Sequence, residues 1–169
     1  MRITSSFFLV ILISCSPIKS NEPRQIPNDV LVILSDTTTS FTFNKDYKKR
    51  DELLGIQPNW TDQSGGLEYV ETITIDQLEK LLTERFINPN EYQNESPTTR
   101  KFYEFMNTFP VVTAHGYAIS PERDDYRVTI EGLYVNESYV TSELKTKFRE
   151  LCKDADEYYD QGELYSWWD

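Results

Sequence analysis

Val111-Val112-Thr113-Ala114-His115-Gly116-Tyr117-Ala118-Ile119, then Ser120-Pro121-Glu122-Arg123-Asp124-Asp125, then Tyr126-Arg127-Val128-Thr129-Ile130-Glu131-Gly132-Leu133-Tyr134-Val135: on this stretch the fold turns. The two outer segments are rich in β-branched and aromatic residues, and the middle one consists of turn formers. Residues 111–119 and 126–135 therefore read as the two strands of a hairpin. On the first strand Val112, Ala114, Gly116 and Ala118 share one face, small enough to let a helix approach closely. The opposite face carries His115 between Thr113 and Tyr117. A hairpin builds an antiparallel sheet, and helices elsewhere in the chain must then bury their apolar stripes against one of its faces.

Those helices announce themselves on both sides. Thr74-Ile75-Asp76-Gln77 fits a capping box, and Ile75, Leu78, Leu81, Leu82 and Phe86 follow at helical spacing. Ser96-Pro97 reads as the N-cap and first residue of a second helix, whose stripe is Phe102, Phe105, Met106 and Phe109, ended by Pro110. Thr141 caps a third helix over 142–155, burying Leu144, Phe148, Leu151 and Cys152. Residues 67–73 alternate as a strand. The run Val30-Leu31-Val32-Ile33-Leu34 reads as a strand buried on both faces, with Phe41-Thr42-Phe43 as another. The polar stretch 44–66 reads as loop with one short helix at 47–54. The order of elements predicts an α+β fold, a mainly antiparallel sheet with about three helices packed on one face.

The chain is 169 residues long, enough for one ordinary domain. Leu, Ile, Val and Phe make up roughly a quarter of it, above the range where disorder is the default. Lys and Arg number 17 against 28 Asp and Glu, a net charge of −11. Nucleic-acid affinity comes mainly from basic side chains on phosphates, so nucleic acid is excluded as a partner. Two cysteines do not make a disulfide scaffold.

Near the start, Arg2 precedes the apolar run Phe7-Phe8-Leu9-Val10-Ile11-Leu12-Ile13, too short to span a bilayer but suited to a secretory signal. The run ends Leu12-Ile13-Ser14-Cys15, which resembles the lipobox of bacterial lipoproteins. The resemblance implies a signal peptide over 1–14, diacylglycerol on the sulfur of Cys15, cleavage before it and acylation of the new amine. It covers this segment alone; the alternative is an ordinary secretory signal in which Cys15 plays no part. Ser16 in place of a retaining aspartate favours the outer membrane within the cell envelope. Residues 15–28, with Pro17, Pro23 and Pro27, read as the lipidated cysteine and a flexible tether, leaving 29–169 as one acidic domain. Cys152 is then the remaining thiol, expected to be buried and inert.

Candidates for chemistry are few. His115 is the single histidine, and a strand histidine among apolar and tyrosine neighbours reads as a half-buried structural residue. With Cys152 it has no supporting motif, and one His and one thiol leave only carboxylates for zinc. Asp154-Ala155-Asp156-Glu157-Tyr158-Tyr159-Asp160 begins like a calcium loop, but Tyr158, Tyr159 and Tyr165 occupy ligand and glycine positions. No metal and no cofactor is therefore assigned. Residues 154–169 hold six carboxylate side chains and no Lys or Arg, interleaved with Tyr158, Tyr159, Tyr165, Trp167 and Trp168. Two readings coexist here: aromatics folded back onto the sheet with acids facing water, or a docking surface on which Asp156, Asp160, Tyr165, Trp167 and Trp168 receive a basic protein.

The sequence thus favours a non-enzymatic, membrane-anchored binding domain, of an immunity or envelope-assembly type. The alternative is a small envelope hydrolase joining Glu122, Asp124 and Asp125 to His115, since two carboxylates suffice for glycoside cleavage. A structural spacer without any site is the third possibility.

Overall fold

The computed structural model describes residues 24–36, 40–61 and 64–169. The expected signal peptide 1–14, Cys15 and the first part of the tether lie outside the described residues.

Strand β2 (Thr113–Ile119) is the axis of the sheet. On one side it pairs with β1 (Leu67–Ile73), with Tyr69 opposite Tyr117 and Val70 opposite Gly116; a bulge between Val70 and Ile73 keeps both inward. On the other side lies β3 (Gly132–Val135), with His115 opposite Gly132. Two late strands, β4 (Glu157–Tyr159) and β5 (Leu164–Trp167), complete the order β1-β2-β3-β5-β4, antiparallel throughout. The expected second hairpin strand is regular only from Gly132. Upstream, Val128 alone bridges to Ala118, and Tyr117 N–H donates to the Thr129 hydroxyl in place of a carbonyl. Gly116 explains the close approach: a Cβ there would stand 2.2 Å from the Thr129 carbonyl oxygen. Its smallness serves this backbone crossing, not the helix expected there.

Five α-helices are described, more than the three expected: α1 (Asn28–Ser35), α2 (Tyr47–Leu54), α3 (Ile75–Thr83), α4 (Thr99–Thr108) and α5 (Ser142–Leu151). Helix α3 starts in the predicted capping box, with Thr74 Oγ1 accepting from Gln77 N–H and Gln77 Oε1 accepting from Thr74 N–H. Helix α5 starts at Thr141 as expected but stops at Leu151. Helix α4 is capped by Thr98 and not by Ser96; the Ser96 hydroxyl instead accepts from Gln93 N–H.

The run at 30–34 is a correction. It is helix α1, burying Val30 and Leu34, one turn apart, while Leu31 and Val32 are 46% and 67% exposed. Five consecutive apolar residues carry no period, so helix and buried strand look alike in them. Phe41 and Phe43 form no strand either; their rings meet edge to face at 4.9 Å, with the Arg85 guanidinium over Phe41.

One core holds the layers together. Val30, Leu54, Leu78, Met106 and Phe148 of the five helices pack with Val70, Ala114, Leu133 and Leu164 of the sheet. Tyr69, Tyr117, Tyr134, Tyr165 and Trp167 belong to none of it, so all helices lie on one face and these rings on the other. Within the stretch expected as tether, Arg24 exchanges hydrogen bonds with Asn107 and pairs with Asp76 at 2.7 Å; residues 15–23 lie outside the described residues.

The polar stretch 44–66 contributes a buried charge the sequence reading missed. Arg50 is fully buried between the rings of Trp60 and Tyr126, pairs with Asp51 at 2.7 Å and donates to the Ile119 carbonyl. Asp51 also accepts from the Trp60 indole at 2.8 Å. Pairing and ring stacking are what make so buried a guanidinium tolerable.

Candidate functional site

Alternation along each strand sorts the acidic, aromatic C-terminal segment into two populations. Trp168 turns inward, is 1% exposed and meets the Phe102 ring edge to face at 5.6 Å. It is core, which removes it from the docking anchors expected of it. Tyr165 and Trp167 turn outward. Asp160 is tied to helix α5 through Lys145 and Arg149, and Arg149 holds its carboxyl below the usual carboxylate range. Asp156 is exposed and accepts from Asp169 N–H at 2.9 Å.

The outer face is a slab of aromatic rings. Tyr69 lies 5.6 Å from Tyr117 and 5.9 Å from Trp167, and Tyr117 meets Trp167 edge to face at 6.1 Å. Tyr134 and Tyr159 flank Tyr165 on neighbouring strands. Tyr69 and Tyr159 remain 44% and 47% exposed, and no described helix covers the slab. Acids rim it: Tyr134 donates to Glu163 at 2.9 Å, while burial and then Glu71 raise the Tyr69 phenol. Burial likewise raises the Tyr165 phenol, with Glu157 adding to it.

His115 fills the slab from beneath. Gly132, its partner on β3, has no side chain, and the imidazole occupies the slot so created. There it stacks at 5.2 Å on both Tyr165 and Trp167, and its Nε2–H donates to the Ser166 carbonyl at 3.0 Å. A Cβ on Gly132 would stand 2.7 Å from that nitrogen and 1.9 Å from the Ser166 oxygen. Burial pushes the imidazole down to about 4, outweighing the Ser166 bond. His115 is therefore neutral at pH 7, 1% exposed, and more deeply buried than the half-buried residue expected. A general base must reach its substrate's proton, and this one is sealed under two rings.

The hairpin-turn acids do not join it. Glu122 and Asp124 are exposed, and Arg123 grips both oxygens of Asp125, holding that carboxyl down at about 2. Burial pushes the Cys152 thiol up to about 12, so it stays protonated and unreactive. Among the described residues no group of three or more His, Cys, Asp or Glu side chains assembles as a metal site.

At the β1–β2 end of the slab, beside Tyr117, a cavity of about 270 Å³ opens above the irregular segment 126–131. Its lining includes Glu131, a carboxylate that is 8% exposed.

Comparison with family models, curated proteins and solved structures finds no match to this chain. The site therefore speaks through its own geometry.

Among the described residues, His115, Cys152 and the hairpin-turn acids do not come together, and the aromatic rings form one contiguous face. The sequence reading found Tyr165 and Trp167 and missed Tyr69, Tyr117, Gly132 and Glu131. Gly132 left one signal, a glycine inside a strand pattern, which marks close approach of another group.

Proposed function

We propose that this protein is a lipid-anchored binding domain of the bacterial cell envelope, carried at the outer membrane through Cys15, and that it docks a basic protein on its open aromatic face. The observation that carries the docking is the slab of Tyr69, Tyr117, Tyr165 and Trp167, covered by no described helix, with Glu71, Glu157 and Glu163 at its rim. Rigid tyrosine and tryptophan rings supply most of the energy of a protein interface at little entropic cost. The net charge of −11 steers a cationic partner toward them. The lipobox-like Leu12-Ile13-Ser14-Cys15 supports the anchor, and two or more acyl chains hold a membrane stably where one does not.

Cross-linking in the native envelope, with and without the pair Tyr69→Ala and Trp167→Ala, tests the docking. A protein of basic isoelectric point captured by the unaltered chain, lost with the pair and weakened by raising salt through the physiological range, is the expected result. A partner retained by the double variant, or indifferent to salt, overturns it. Cys15→Ser should move the chain out of the membrane fraction; retention there overturns the anchor.

A further inference from the structure

The cavity beside Tyr117 carries this docking reading one step further, to a single contact. Its polar floor is Glu131. Glu131 Oε1 accepts from the Thr129 hydroxyl at 2.7 Å, and that hydroxyl in turn accepts from Tyr117 N–H at 3.1 Å, so the carboxyl is fixed in place. The charges that act on it, Arg127 and Asp169, line the same cavity as Glu131 itself. The hydrogen bond from Thr129 ends on Oε1, and no hydrogen bond among the described residues ends on the second oxygen, Oε2. Burial holds the carboxyl above its usual range, and the Thr129 hydrogen bond and the Arg127 charge offset only part of that.

The two arginines that line the cavity act on Glu131 at most from a distance, because their hydrogen bonds and ion pairs go elsewhere. Arg123 is committed to Asp125 and to the Gly65 carbonyl, and Arg127 to Glu91 at 2.6 Å and the Asp125 carbonyl. What the cavity leaves unmatched is therefore negative: Glu131 Oε2, with the exposed Asp169 carboxylate beside it. Its wall is the Tyr117 ring, shared with the aromatic slab. The volume suits one long side chain and is below that of most small-molecule pockets.

Resting on the docking reading, we infer that this cavity is the socket for one lysine side chain of the basic partner, its ammonium paired with Glu131 and its methylene stem packed along Tyr117. Lysine fits better than arginine for a geometric reason. A guanidinium fork wants two parallel acceptor oxygens, and on Glu131 it would have to share Oε1 with Thr129. An ammonium is a point charge that one free oxygen satisfies.

The probe is the capped peptide acetyl-Gly-Lys-Gly-amide, titrated into the ¹⁵N-labelled full chain and followed by amide shifts. Saturable shifts at Tyr117, Thr129 and Glu131 are expected in the millimolar range. The arginine counterpart should bind at least about fivefold more weakly, and the Nε-acetyl-lysine counterpart not at all. Glu131→Gln keeps the acceptor for Thr129 and removes the charge; it should weaken the lysine probe at least about tenfold. Equal binding of the acetylated probe, read on the unaltered chain, or equal binding by Glu131→Gln, overturns the socket. A basic partner captured equally by Glu131→Gln sinks the socket and spares the docking face. A lysine probe seated in the cavity with no basic partner in the envelope does the reverse.

Discussion

His115 shows how much of a residue's role is set by what stands opposite it. The sequence reading placed it on a strand and judged it structural, which its burial supports. What the residue alone does not reveal is the slot, because that belongs to Gly132 on the next strand. The depressed imidazole has a consequence for stability. Between pH 6.5 and about 4 the unfolded chain binds a proton at this site and the folded chain does not. Proton uptake therefore favours unfolding as pH falls, and this one site removes up to about 3 kcal/mol between pH 7 and 4. His115→Phe keeps a ring in the slot and removes the titration. Urea midpoints of the unaltered chain should fall more steeply over that window than those of His115→Phe; parallel curves would contradict the burial of an uncharged imidazole.

Among the elements, those with caps were readable and those defined by partners were not. The box at Thr74 and the cap at Thr141 fixed two helix starts, because local side-chain bonds decide them. The run at 30–34 had only composition, and packing on α3 decided for a helix. Strand β5 exists because β3 offers it an edge, and β4 because β5 offers it the next, information spread over about 30 residues. Within β5 and just beyond it, the adjacent tryptophans separate the two roles of the segment. Trp168→Ala empties a core site and should cost about 3–5 kcal/mol in chemical denaturation. Trp167→Ala removes a partly exposed ring and should stay within about 1 kcal/mol, while weakening partner capture. Equal costs for the two would undo the inward and outward assignment.

For the molecule as a whole, the class was legible from the order of elements: a hairpin in the second half, amphipathic helices around it and an acidic surface. The proposed docking face was not, since its rings come from β1, β2 and β5, whose contributions mean nothing separately. All five helices and the sheet share one set of buried side chains. Loss of either layer exposes that set, so unfolding should be a single transition, with tryptophan fluorescence and far-ultraviolet circular dichroism superimposing in urea. Separate midpoints would mean two independent cores.

The order β1-β2-β3-β5-β4 also sets a schedule. Strand β5 is the last of the five to leave the ribosome and becomes an interior member of the sheet. A nascent chain halted before Leu164 leaves β3 and β4 with nothing between them and the Trp168 site hollow. The described sheet therefore closes only after residues Leu164–Trp167 have been made, late in its own sequence.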